Sequence, residues 1–189
     1  MDQFSYLSVL LSLIVGLAIT QILKGWRGLM LARRRVVPYW PALVWSVSLL
    51  LMNVQSWWAM FGLRDVPTWT FLLFSVVLAQ TIVQYLLAAI VLPDFTAARV
   101  DLREHYWDHT RWFFGLNILV LSISLSKDFV LTGHFTDPVN LAFHGVFIGL
   151  AGVALFLRTE WYHRTLAVLA ALLFTAYVVV LFSRLPQAG

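Results

Sequence analysis

The chain has 189 residues, of which 61% are hydrophobic and 12% charged, with a formal net charge of +4 and no cysteine. A soluble domain carries about 25% charged residues to cover its surface, and 13 basic plus 9 acidic side chains fall far short of that. The missing cysteine excludes a disulfide framework, a thiolate metal site and a cysteine nucleophile.

Six apolar stretches follow one another, at residues 4–23, 40–63, 68–92, 112–131, 139–157 and 165–182. A helix needs about 20 residues to cross a hydrocarbon core of about 30 Å, so each stretch predicts one transmembrane span. Barrel strands would alternate apolar and polar residues, whereas residues 146–156 are apolar on every face. The expected fold class is an all-α, polytopic bundle of about six spans forming one transmembrane domain.

The first stretch is preceded by Asp2 and followed by its basic residues, the reverse of a cleaved signal peptide. Pro38 and Pro41 flank the start of the second stretch, where a missing amide donor costs nothing. Pro67 and Pro138 precede the third and fifth, and Pro93 and Pro186 follow the third and sixth. No proline interrupts a span interior.

Ten basic residues fall in loops one, three and five: Lys24, Arg27, Arg33, Arg34, Arg35, Arg99, Arg103, Arg111, Arg158 and Arg164. Only Arg64, Lys127 and Arg184 fall on the other side. The positive-inside rule then predicts odd-numbered loops in the cytoplasm and both termini outside. This placement reads as anchoring at lipid headgroups, so a nucleic-acid partner is not expected. Tyr39, Trp40, Trp57, Trp58, Trp69, Tyr106, Trp107, Trp112, Trp161 and Tyr162 sit near span ends and read as an interfacial aromatic belt.

The two halves invite comparison. An Arg64-flanked apolar run ends at Leu92-Pro93, and an Arg158-flanked one ends at Leu185-Pro186. Three spans per half would make a 3+3 inverted repeat, an arrangement many transporters share. Shared composition accounts for the similarity equally well.

Polar residues within spans are costly in lipid and usually face a bundle interior. Gln80 and Gln84 share a face of the third span, and Gln55 lies in the outer half of the second. Lys127 and Asp128 lie near the outer end of the fourth, and Asn140 and His144 open the fifth. Matching depths predicts one outer layer holding Gln55, Lys127, Asp128, Asn140 and His144, with Arg184 nearby. Such a layer is either a vestibule for a small solute or ion, with His144 titrating near neutrality, or interhelical glue.

Residues 94–111 form a cytoplasmic loop with an expected short interfacial helix, N-capped by Asp101. It carries His105 and His109 on one face, and loop five carries Glu160 and His163. These four are a weak candidate metal set, since two generic spacings must meet across loops. No cofactor is expected. Gly145 and Gly149 form a small-xxx-small step that suits a buried helix or a homo-oligomer contact.

Four stretches carry a resemblance: residues 10–21, Val54-Gln55-Ser56-Trp57-Trp58, Tyr85 through Leu92-Pro93-Asp94, and His109-Thr110-Arg111-Trp112-Phe113-Phe114. On these the chain resembles a group of uncharacterised bacterial six-span membrane proteins of about this length. The resemblance implies a bacterial inner-membrane setting and no particular activity. The expected function is a small-solute or ion transporter or channel-like protein. The alternatives are a non-transporting sensor or assembly subunit and, third, a metal-dependent membrane enzyme.

Overall fold

A computed structural model describes residues 3–133 and 137–181. The helices are α1 (Gln3–Ala32), α2 (Trp40–Ala59), α3 (Phe71–Ile90), α4 (Leu102–Thr132), α5 (Pro138–Phe156) and α6 (Glu160–Leu181). A 3₁₀ turn, Met60–Asp65, follows α2. Five of the helices are long and apolar enough to cross a membrane. Helix α2 has 20 residues but carries Ser46, Ser48, Asn53, Gln55 and Ser56, all turned from full exposure. Its low hydropathy is therefore an interior property.

The outside of the bundle is apolar. Phe71 and Phe156 are 85% and 87% exposed, and Leu13, Leu172 and Val179 are also open. A continuous surface of this kind suits hydrocarbon and not water. The chain is a membrane-embedded helical bundle.

Helix ends follow their capping residues. Thr70 accepts from the Leu73 amide and starts α3, and Asp137 accepts from the Val139 amide and starts α5. Asp101 accepts from the amides of Arg103 and Glu104 and starts α4. The expected separate helix within residues 94–111 is instead the first three turns of α4. No proline lies between Leu102 and Thr132, so nothing stops the helix where the membrane does.

Packing order makes a ring. Helix α1 packs on α3, α3 on α4, α4 on α5, α5 on α6, α6 on α2 and α2 on α1. The interior is enclosed by α2 to α6. The halves differ in their internal packing: α1 runs along α3, whereas α4 and α6 have no comparable contact.

The end carrying the ten basic residues (the basic end) is stitched across loops. Strands β1 (Val36–Val37) and β2 (Val100–Asp101) pair in parallel. Arg35 donates to the carbonyls of Ala97 and Phe95 at 2.9 and 3.1 Å. Helix α1 reaches this layer because it continues past its apolar stretch, and Gly25 and Gly28 let the chain after α3 lie against it. A Cβ at Gly25 would stand 2.8 Å from Leu92, and one at Gly28 would strike the Phe95 ring. Gly28→Ala should therefore lower thermal stability by about 1–3 kcal/mol, the usual cost of overpacking. Gly16→Ala, which meets nothing within 4 Å, should not. Thermal unfolding of both variants checks this.

Two expectations change. A Cβ at Gly145 or Gly149 also meets nothing within 4 Å, and both glycines are exposed, so that face of α5 is not buried within the chain. Tyr39 and Tyr106 are only 4% and 8% exposed and pack on each other, so they belong to the core and not to the aromatic belt. Trp57, Trp112 and Trp161 do lie on the surface.

Candidate functional site

The interior of the ring holds two chambers. The distal one, about 240 Å³, lies at the helix ends away from the basic end. Its wall includes Gln55 and Ser56 of α2, Gln80 and Gln84 of α3, Ser124, Lys127 and Asp128 of α4, Asn140 of α5 and Tyr177 of α6. The inner one, about 110 Å³, lies deeper and is mostly apolar, with Trp45, Leu49, Met52, Phe114, Phe147 and Leu166 in its wall. Gln55, Ser56, Gln80, Gln84, Ser124 and Tyr177 line both chambers and form the neck between them.

Helical spacing explains the shared wall. Gln80 and Gln84 are one turn apart on α3, and Ser124 and Lys127 are three apart on α4, so each pair shows one face to the interior. His144 departs from expectation. It lines the inner chamber and not the distal layer, because four residues along α5 carry it about 6 Å deeper than Asn140. Its Nδ1 lies 2.9 Å from the Asn140 carbonyl, which can only accept, so Nδ1 carries the proton.

The polar groups divide by how they are used. Gln84 is 2% exposed, and its amide nitrogen donates to the Ser56 hydroxyl, joining α3 to α2. Its Oε1 is buried and has no hydrogen-bond partner among the described residues. Asn140 donates to the Asp128 carboxylate at 3.0 Å, joining α5 to α4. Asn117 donates to the Phe113 carbonyl within its own helix. Gln55, Gln80 and Lys127 make no hydrogen bond or ion pair among the described residues, although all three line the distal chamber. Lys127 and Asp128, adjacent in sequence, form no ion pair with each other, and Asp128 accepts from Asn140. Arg184 lies outside the described residues.

An aromatic layer closes the inner chamber toward the basic end. Trp45 packs edge-on against Phe113 and Phe114 at 5.2 and 5.6 Å, and Phe114 meets the His163 ring at 5.5 Å. His163 is fully buried. Its Nε2 lies 2.8 Å from the Leu157 carbonyl, so Nε2 donates and Nδ1 accepts the Tyr106 hydroxyl at 2.8 Å. Sequence reasoning missed this layer. Trp45 and Phe114 sit in apolar runs where a buried ring and a lipid-facing one look alike.

The four candidate metal ligands are not brought together. His105 Nε2 donates to the Ile90 carbonyl, serving an orphan acceptor at the end of α3. His109 Nδ1 donates to the His105 carbonyl. Both nitrogens of His163 are spent as just described, and Glu160 is gripped by Arg103 at 2.9 Å and Arg164 at 2.8 Å. Among the described residues no group of three or more His, Asp or Glu is placed to hold a metal. His105, His163 and Glu160 fasten helices to one another, and His109 bonds within its own. The Tyr39 phenol beside them is pushed above its ordinary pKa, mainly by burial and then by the Glu160 charge.

No protein-family model, curated protein or solved structure matches the chain.

Proposed function

We propose that this chain is a small-solute or ion transporter, or a channel-like protein, of the bacterial inner membrane, with both termini outside. In this reading the distal chamber is an outward vestibule. The observation that carries it is the neck: Gln55 and Gln80 stand in a lipid-embedded interior, line both chambers and make no hydrogen bond among the described residues. Interhelical glue would look like Gln84, whose amide is bonded across to Ser56. Polar groups kept at a cost inside a membrane, and not used for packing, are the expected lining of a solute path.

The chain has no cysteine, so single-cysteine variants report accessibility directly. Ser124→Cys and Gln55→Cys should react with a membrane-impermeant thiol reagent added outside intact cells, at least about tenfold faster than lipid-facing Leu119→Cys. Labelling of Ser124→Cys only from the cytoplasmic face would reverse the orientation. No labelling from either face would remove the vestibule.

A further inference from the structure

We infer that the chamber system takes a small organic anion, a carboxylate on a compact apolar body, with Lys127 and the neck amides holding the head and the inner chamber holding the body. The inference rests on the vestibule reading and narrows it to a substrate class.

Lys127 and Asp128 both line the distal chamber, but they differ in availability. Asp128 accepts a hydrogen bond from Asn140 at 3.0 Å. Lys127 is half-buried and makes no ion pair or hydrogen bond among the described residues. A cation in a membrane interior is expensive unless something shares its charge, and an ammonium can only donate. The unsatisfied donors of the chamber are therefore those of the Lys127 ammonium, and their natural complement is an anionic acceptor. Gln55 and Gln80, which also make no hydrogen bond among the described residues, line the same chamber and each carries an amide NH₂. An ammonium and amide NH₂ groups are the donors a carboxylate accepts from.

The body of the ligand follows from the inner chamber. That space, about 110 Å³, is walled by Trp45, Leu49, Met52, Phe114, Phe147 and Leu166. An engineered apolar cavity of about 150 Å³ accepts benzene, so a single ring or a short branched chain is the right scale. Its floor is the aromatic layer, with no formal charge among its described wall residues. A hydrated inorganic ion gains nothing from such a wall, because apolar side chains cannot replace its water. A ring that leaves water for it does gain. The two chambers thus favour one amphipathic anion over a bare ion.

Benzoate, benzyl alcohol and benzylamine share the ring and differ in the charge of the head, so they separate head from body. Binding to the purified full chain in nanodiscs, read by tryptophan fluorescence, should rank benzoate first, at least about tenfold tighter than benzylamine. Lys127→Gln should weaken benzoate about tenfold or more and leave benzyl alcohol within about twofold. Ala170→Phe, which fills the inner chamber from α6, should weaken all three. Lys127→Arg, which keeps the charge, should retain benzoate binding and guards against a folding defect in Lys127→Gln. Equal affinities for the three, unaffected by Lys127→Gln, would overturn the anion assignment and leave a chamber that binds apolar rings. Preference for benzylamine would overturn it in favour of Asp128. No binding by any probe, with Ser124→Cys still labelled from outside, would overturn the ligand class alone. No binding together with no labelling would overturn the vestibule as well.

Discussion

Gln80→Leu should leave the protein at least as stable as its parent while weakening benzoate binding by about ten- to hundredfold, the worth of a hydrogen bond to a charged group. The side chain makes no hydrogen bond among the described residues, so leucine of similar volume removes a polar group that packing does not use. Gln84→Leu is the contrasting case. It loses the bond to Ser56 and should lower the unfolding midpoint by the equivalent of about 1 kcal/mol. Thermal unfolding in nanodiscs, run beside a benzoate titration, reads both quantities. A Gln80→Leu midpoint that falls as far as that of Gln84→Leu would make the neck amide a packing element and remove the main support for a solute path.

His163→Ala should be the most damaging single change at the basic end, costing about 3–5 kcal/mol. Two effects add. The Tyr106 hydroxyl and the Leu157 carbonyl both lose their buried partner, at about 1–3 kcal/mol each. The lost ring also leaves a gap among Trp107, Phe114 and Tyr106, with the usual cavity penalty. His109→Ala should cost under about 1 kcal/mol, because its one bond is local, to the carbonyl four residues back. Comparable midpoints for the two variants would mean that the aromatic layer contributes little. Arg103→Gln should cost less than His163→Ala as well, since the Arg103–Glu160 pair is solvent-exposed.

The membrane class and the helix order were legible because lipid imposes a length and a composition on each crossing. Boundaries were less so. The apolar run ends at residue 23, yet α1 continues through Lys24 and Arg27 to Ala32, and α4 begins ten residues before its apolar run. Helical propensity persists where hydropathy stops, so hydropathy marks the membrane and not the helix. Depth counting assigns Gln55, Lys127, Asp128 and Asn140 to one layer, and all four line the distal chamber. It could not assign partners. Nothing in the spacing says that Asn140 and not Lys127 attends Asp128, because rotation of each helix decides that. Ser56 and Tyr177 were overlooked in the neck. Tyr177 carried a usable signal: it is a tyrosine inside an apolar run, away from the interfacial positions where tyrosine is ordinary. The histidines misled for a chemical reason. Imidazole binds metals and caps carbonyls with the same nitrogens, and only the fold tells which use it has.

The uninterrupted course of α4 has a mechanical consequence. Arg103 at one end and Lys127 at the other are separated by about 36 Å of continuous helix at 1.5 Å per residue. Nothing along it is a hinge, so the helix behaves as a lever. Tilting such a rod by roughly 5° about its basic end moves the far end by roughly 3 Å, about the length of a hydrogen bond. The width of the distal chamber therefore follows the tilt of α4, which its packing against α3 and α5 holds. A change in that packing at the basic end would retune the mouth without touching any residue in it.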